Sequence, residues 1–454
     1  MVMKVLLGTH LFFPYDRAGT EVLTLEMARG LRTRGHSVQI VTGKAEKNAS
    51  GKKNLWLTQD LYDGFTVHRL HYGAASYSDP ITLHISASDR VRLVRELVSH
   101  LTPDIVHFNH IKVFSGMVIP EIKAMGIPVF FTPTDFWTVC PKATLFRTYD
   151  KEVCEGPGDA VNCVRCYQPM PTWASRLALK IGKTPLRKLS GRINSLNALG
   201  RRVDVMIDCV NAADRVLPAT RFLADVLIRH GIDENRIKVV PYGVEVGYLP
   251  EKVSIPAYFT DASPLRLGFI GTLSEVKGPH IILDALSFLA DNNRKVVLDI
   301  YGKVGQGNPY CRMLQEKAKE FGTAVQFRGM FPHEKIGEIM RRLHLVIVPS
   351  LWYESTPLVL CSALAAGIPV LVSRLGGMTE VVNEGINGFS FPAGDARALS
   401  TIISKILDNP KMLETIQRNS EGRKRSMSDY VGEIESEYFA VMTNGSLEEV
   451  ERID

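Results

Sequence analysis

Three short stretches gather residue types that can hold a phosphorylated ligand. In Pro349-Ser350-Leu351-Trp352-Tyr353-Glu354-Ser355-Thr356-Pro357-Leu358-Val359, a buried apolar run ends in a loop and a helical pattern begins. Thr356 reads as the N-cap and Pro357 as the first helical residue. A helix N-terminus offers free N–H groups and a positive dipole end, which suits a phosphate. Glu354 falls just before it, at the carboxyl end of a strand, where open parallel sheets place ligands. The second stretch is Gly271-Thr272-Leu273-Ser274-Glu275-Val276-Lys277-Gly278, again between a strand and a helix. Its glycines permit close backbone approach, and Lys277 is a phosphate-directed charge. The third is Ala18-Gly19-Thr20-Glu21, after the first strand. Each stretch also has a plainly structural reading, as a capped helix, a surface lysine or a turn.

Two further patterns lie in residues 138–203. Cys140, Cys154, Cys163 and Cys166 gather among Pro141, Gly156, Pro157 and Gly158. Four thiolates in one loop-rich insertion fit a closed structural zinc site, although only Cys163 and Cys166 have ligand spacing. Ordinary buried thiols are the other reading. Residues 173–202 carry Arg176, Lys180, Lys183, Arg187, Lys188, Arg192, Arg201 and Arg202 with no acidic residue, interleaved with Trp173, Leu177, Ile181 and other apolar residues. Such a stretch suits an anionic membrane surface or a solvated insertion face. No nucleic-acid-binding module is present, so nucleic acid is not expected as a partner.

The elements that must position these residues alternate between strand and helix. Lys4–Gly8, Ser37–Thr42, Asp104–Phe108 and Pro128–Thr132 read as strands, with helices over Thr20–Arg34, Ser86–Leu101 and Phe114–Met125. After the insertion, strands are expected at Val205–Asp208, Arg215–Leu217 and Ile237–Val240, and a helix near Arg221–His230. Residues 243–264, with Gly243, Gly247, Pro250, Pro256 and Pro264, read as a linker. A second series has strands at Leu265–Ile270, Val296–Tyr301, Val325–Phe327, Leu345–Val348 and Pro369–Val372. The organisation expected is a domain over 1–242, the linker, a domain over 265–425 and a terminal helix over 426–454, positioned to pack back on the first domain. Strand–helix alternation implies parallel, doubly wound sheets.

With these motifs in place, the chain resembles glycosyltransferase family 4, the retaining group with the GT-B fold, from Lys4 to about Leu407. Gly19 and Glu21 match its opening motif, with Ala18 in place of a first glycine. Gly271, Leu273, Lys277 and Gly278 match the motif that begins its second domain. Glu354 matches the first glutamate of its signature, and the Leu375-Gly376-Gly377, Glu380-Val381 and Asn387-Gly388 segments read as family members do. The resemblance implies an α/β GT-B architecture: two Rossmann-like, doubly wound parallel-sheet domains facing a central cleft. It implies a nucleotide-sugar donor, a glycan or lipid-linked acceptor, and a role in bacterial surface polysaccharide biosynthesis.

The resemblance also implies roles. Lys277 would bind the donor diphosphate, Glu354 the donor-sugar hydroxyls, and the Leu358 and Val359 amides the phosphate oxygens. Met330 would line the base pocket, and Gly19, Thr20, Gly271 and Thr356 would complete the donor site. Three positions depart from the family. Its second signature glutamate falls at Ser362, its arginine partner to the lysine at Thr272, and its histidine before an acidic residue at Thr134, ahead of Asp135. The catalytic residues implied are Glu354, Thr134 and Asp135. A catalytically silent GT-B subunit that binds a nucleotide or a partner protein is the alternative.

Composition fits a folded enzyme. The 454 residues are 45% hydrophobic and 22% charged, with a net charge of +6, enough apolar content for a large core. The opening Met1-Val2-Met3-Lys4-Val5 is too short for a signal peptide, and no apolar run reaches the roughly 18 residues of a membrane span. A cytoplasmic protein is expected, with the basic stretch as its means of lying at the inner membrane face. No Asp-x-Asp motif stands in a credible position, so no cofactor is expected for catalysis.

Overall fold

The computed structural model describes residues 1–46, 55–73, 80–86, 88–168, 170–182, 191–245, 247, 249–289, 295–305, 307–419 and 425–451. The chain divides into two compact units, Met1–Pro241 with Met427–Asp454, and Tyr242–Ser426. Both are doubly wound α/β units.

The first unit holds β1 (Lys4–Thr9), β2 (Ser37–Glu46), β3 (Leu55–Tyr62), β4 (Phe65–Gly73), β5 (Ile105–Phe108), β6 (Val129–Phe131), the short pair β7 (Phe146–Arg147) and β8 (Glu152–Val153), and β9 (Arg215–Val216). Its seven-stranded sheet runs β3-β4-β2-β1-β5-β6-β9. Val5 pairs with Val38 on one side and Ile105 on the other, both in parallel register. β1 is buried on both faces, which is why its sequence is an unbroken apolar run. The order turns at β1 and β5, so ligand sites are expected beyond their carboxyl ends. The antiparallel edge β3–β4 was not anticipated. Its signal is Asp63-Gly64, a two-residue hairpin loop with φ of +52° and +76° between Tyr62 and Phe65.

The second unit holds β10 (Leu265–Ile270), β11 (Val296–Tyr301), β12 (Val325–Gly329), β13 (Leu345–Val348), β14 (Val370–Ser373) and β15 (Gly388–Phe391). They form an all-parallel sheet in the order β12-β11-β10-β13-β14-β15. Here the order turns between β10 and β13.

Two strand expectations are corrected. Val205–Asp208 is not a strand but part of the helix Gly191–Asn211. Ala198, Leu199, Arg202, Met206, Cys209 and Val210 are buried along it, a spacing of three and four that the short apolar run Val205-Met206-Ile207 conceals. Ile237–Val240 forms a single bridge to Val216 instead of a strand. Residues 243–264, read as a linker, lie against the second unit. The Val253 amide donates to the Arg341 carbonyl at 2.9 Å, His344 bonds the Ser254 carbonyl at 3.1 Å, and Phe259 enters the second unit's core. A segment without period can still bury apolar side chains and satisfy its amides against a neighbouring surface.

The terminal helix Met427–Glu451 packs within the first unit, although it follows the second in sequence. Glu435 pairs with Arg34 and His36, each at 2.7 Å. The Tyr438 hydroxyl meets His107 Nδ1 at 2.6 Å, while His107 Nε2 meets Thr132 Oγ1 at 2.8 Å. Burial pushes the His107 pKa down to about 3 from 6.5. The unfolded chain therefore takes up a proton below pH 6.5 that the native state refuses. His107 should cost about 1.4 kcal/mol of stability per pH unit as pH falls from 6.5 toward the folded value. His107→Gln, which keeps a polar side chain without the titration, should flatten the fall in stability between pH 6.5 and 5. An unchanged pH slope in denaturation midpoints would refute this.

Candidate functional site

In the second unit the β10 and β13 loops are built against each other. β10 ends as the Gly271 amide donates to the Tyr301 carbonyl at 3.0 Å. A single turn, Glu275–Lys277, follows, then Gly278 and the helix Pro279–Ser287. The Leu351 amide donates to the Val276 carbonyl at 2.8 Å, tying the two loops. Lys277 and Glu354 meet across this tie, with Lys277 Nζ donating to Glu354 Oε1 at 2.6 Å. Ser350 Oγ and Trp352 Nε1 donate to the same oxygen at 2.8 and 2.7 Å. The Lys277 ammonium also stands 5.2 Å from the Trp352 ring centre, a cation–π contact. Glu354 is 9% exposed. Lys277 is more open, its side chain 28% exposed.

The following helix is Leu358–Ala365, not one that starts at Pro357. Pro357 is itself the N-cap residue with an extended ψ of 124°, and it accepts from the Leu360 and Cys361 amides. Thr356 is not the cap, because its hydroxyl donates to the Ser355 carbonyl at 2.6 Å. The helix has no side-chain cap, so Leu358 and Val359 supply its first amides to whatever anion lies there. The arrangement is a guarded cation beside a helix N-terminus at the point where the strand order turns.

The other residues singled out from sequence take varied places. Thr272 is exposed after β10, and Met330, 72% exposed, follows Gly329 after β12. Ser362 is buried in the second turn of the Leu358–Ala365 helix.

In the first unit, residues after β1, β5 and β6 converge with the start of the helix Gly19–Thr33. Thr20 and Thr134 share a hydroxyl hydrogen bond of 2.9 Å, and the Ala18 amide donates to Glu21 Oε2 at 2.8 Å. Gly19 is exposed at this turn. His10 Nε2 lies 3.8 Å from Glu21 Oε1, and the His10 and His110 rings are 4.2 Å apart. The Lys112 amide donates to His110 Nδ1 at 3.1 Å, so the ring proton sits on Nε2 and points at Asp135 Oδ2, 3.2 Å away. Asp135 Oδ1 accepts from the Trp137 amide at 2.8 Å.

Burial pushes the Asp135 carboxyl up, but His110 and that amide outweigh it and hold the group below its usual range. Burial, then the neighbouring His110, drives His10 down to about 2, and burial raises Glu21. The cluster therefore presents a carboxylate and a neutral imidazole. Glu21 Oε1 and His10 Nδ1 are buried without a hydrogen-bond partner among the described residues. Such groups suit a ligand rich in hydroxyls.

Sequence reading missed Ser350 and Trp352 as supports of Glu354. It also missed His10 and His110, whose signal was position, since each lies just beyond the carboxyl end of a strand at the sheet's turning point.

Comparison with known proteins adds the following. The family model described as Glycosyltransferase Family 4 matches residues 17–248, and that described as Glycosyl transferases group 1 matches residues 255–423. The chain is 23% identical over 388 residues to an uncharacterized 42.6 kDa protein in the cps region of Klebsiella pneumoniae, covering 84% of this chain and 87% of that one. It is 31% identical over 220 residues to D-inositol 3-phosphate glycosyltransferase of Streptomyces scabiei, covering 45% of this chain and 48% of the relative. That match spans about half of the relative's length. Among solved structures, sucrose-phosphate synthase from Thermosynechococcus elongatus has a TM-score of 0.66 at 16% identity, covering 97% of this chain and all of that one (100%). Anabaena HepE in complex with UDP-glucose has a TM-score of 0.63 at 18% identity, covering 96% and 99%. At these identities the two structures establish a common fold.

Proposed function

The chain belongs to glycosyltransferase family 4 and has the GT-B fold, and from that premise we propose that it moves a sugar, with retention of configuration, from a nucleotide-diphosphate donor to a glycan or lipid-linked acceptor. The observation that carries the proposal is the Lys277–Glu354 pair beside the uncapped helix at Leu358. Lys277 and the helix amides hold the leaving diphosphate and stabilise the charge that develops on it. No catalytic metal is needed in this scheme. Glu354 turns to the donor-sugar hydroxyls with Oε2, the oxygen that none of its three donors uses. The departing phosphate oxygen takes the proton of the acceptor hydroxyl, which attacks from the face the diphosphate leaves. Asp135, His110 and Thr134 of the first unit hold the acceptor. The relative in a cps region and the solved complex with UDP-glucose support a surface-polysaccharide role and a UDP-sugar donor.

The test is a panel of nucleotide sugars, with the anomeric configuration of the product read by NMR. Glu354→Gln should lower turnover about 10- to 100-fold, as loss of a charged hydrogen bond. It should leave binding of bare nucleotide at least as tight, because Lys277 loses a competing carboxylate. An inverted product would overturn retention. Nucleotide binding without any turnover would favour a silent subunit.

The acceptor reading extends to a membrane surface. Among the described residues no helix is long and apolar enough to cross a membrane. The helix Thr172–Gly182, however, leaves Trp173, Leu177 and Ile181 exposed at 71%, 51% and 37%, spaced four apart on one face. Lys180 and Arg176 are exposed beside them, Arg176 lying 3.8 Å from Asp159. An apolar strip flanked by cations suits anionic lipid headgroups. Lys183, Arg187 and Lys188 of the same basic stretch lie outside the described residues. The protein should co-sediment with anionic vesicles, release at high salt, and lose binding on combined Leu177→Glu and Lys180→Glu substitution. Equal binding to neutral vesicles would sink the idea.

A further inference from the structure

The segment after β6 carries little regular structure, and its helix reaches a small core through Val161, Cys163 and Val164 that it shares with neighbouring helices. It comprises the turn at residues 136–143, the two-residue strands β7 and β8, and the helix Val161–Tyr167. Four non-glycine residues within it, Ala143, Leu145, Lys151 and Ala160, hold left-handed φ between +45° and +68°. A short ribbon with this much backbone strain needs a tether beyond its own hydrogen bonds.

The four cysteines are placed where a tether would act. Cys140 comes from the turn, Cys154 directly follows β8, and Cys163 and Cys166 sit three apart on the helix, so they share a face. All four line a single small pocket of about 20 Å³, together with Val139, Leu145, Phe146, Lys142 and Asn162. None is in a disulfide. Behind them the Arg202 guanidinium is fully buried, stacked 4.6 Å from Trp137. It donates to the carbonyls of Trp137 and Thr138 and to His84 Nδ1, and it lies within electrostatic reach of Cys140, Cys163, Tyr167 and the Asp135 carboxylate. A buried cation whose hydrogen-bond partners are all neutral favours anionic charge nearby, which thiolates at Cys140 and Cys163 would add to that of Asp135.

We propose that Cys140, Cys154, Cys163 and Cys166 bind one zinc ion as a closed four-thiolate site that ties the turn, the ribbon and the helix together. Four thiolates around a divalent ion carry a net charge of about −2, which Arg202 partly offsets. On binding, the four thiols give up their protons to solvent. All-sulfur tetrahedral coordination selects zinc over the hard divalent cations. Among the described residues no three ligand side chains already stand in metal-holding geometry, so binding requires the thiols to move together. The site lies in the first unit and is independent of the donor chemistry proposed for the second.

The experiment uses the full chain purified without chelator. Elemental analysis should find about one zinc per chain. Extraction with a thiol-specific mercurial should release that zinc, and once excess small thiol has stripped the mercury from the cysteines and been removed, the chain should take up Co(II) with the intense charge-transfer absorption of tetrahedral thiolate. Cys163→Ser and Cys166→Ser should each lose most of the metal. If those variants fail to fold, the Co(II) spectrum of the unaltered chain decides alone. Absence of zinc, with no Co(II) uptake by fully reduced protein, would overturn the proposal. So would an iron–sulfur spectrum in the purified chain, or disulfides among these cysteines in the native protein.

Discussion

Lys277→Ala should weaken binding of a nucleoside diphosphate by about 10- to 100-fold, the loss of one charged hydrogen bond to phosphate at roughly 1.5–3 kcal/mol. The structure shows why the loss should fall on the ligand and not on the fold. Lys277 is partly exposed and donates only to Glu354 Oε1 among its recorded hydrogen bonds, at 2.6 Å. Glu354 keeps Ser350 and Trp352 as donors when the lysine is gone, so its carboxylate is not left bare. Titration calorimetry with UDP and a denaturation midpoint on the same protein separate the two effects. Unchanged affinity would remove Lys277 from the donor site, and a large drop in stability would make it a structural residue. Lys277→Arg should recover only part of the affinity, because a planar fork does not replace a compact ammonium held over an indole.

Gly278→Ala should be the most damaging small substitution in the second unit. A β-carbon there would lie 2.0 Å from the Pro349 carbonyl oxygen, and the backbone φ is +70°. The first obstacle is overpacking against main chain that cannot swing aside, at about 1–3 kcal/mol. The second is the left-handed backbone, at about 1–2 kcal/mol. Together they should remove about 2–5 kcal/mol of stability and loosen the β10 loop from the β13 loop. Gly307 provides the control, having φ of +80° with nothing within 4 Å of a β-carbon. Gly307→Ala should show the backbone cost alone. Equal losses in urea titrations of the two variants would mean that the close approach to Pro349 contributes nothing.

Much of the fold was legible because parallel strands buried on both faces leave unbroken apolar runs. β1 and β13 were visible this way, β10 and β11 despite one charged residue each, Arg266 and Asp299, and the helix after β1 through its own period. The β3–β4 hairpin was missed, because its signal, Asp63-Gly64, is a single turn dipeptide beside the parallel alternation around it. Val205–Asp208 shows the limit of short windows, since four apolar-rich residues are compatible with either period. Only the buried positions of the whole Gly191–Asn211 helix distinguish them.

The sequence by itself determined the local chemistry: a glycine-and-lysine loop after one strand, a glutamate before a helix after another, and cysteines gathered in one insertion. Those features depend on residue type and near neighbours, which the chain carries in order. The pairing of Lys277 with Glu354, 77 residues apart, depended on β10 and β13 being adjacent in the sheet although β11 and β12 lie between them in sequence. The meeting of His10, His110 and Asp135 required β1, β5 and β6 to lie side by side. Only the tertiary structure decided these contacts, because strand order is set by which buried faces and crossovers pack together, and no local pattern of residues encodes it.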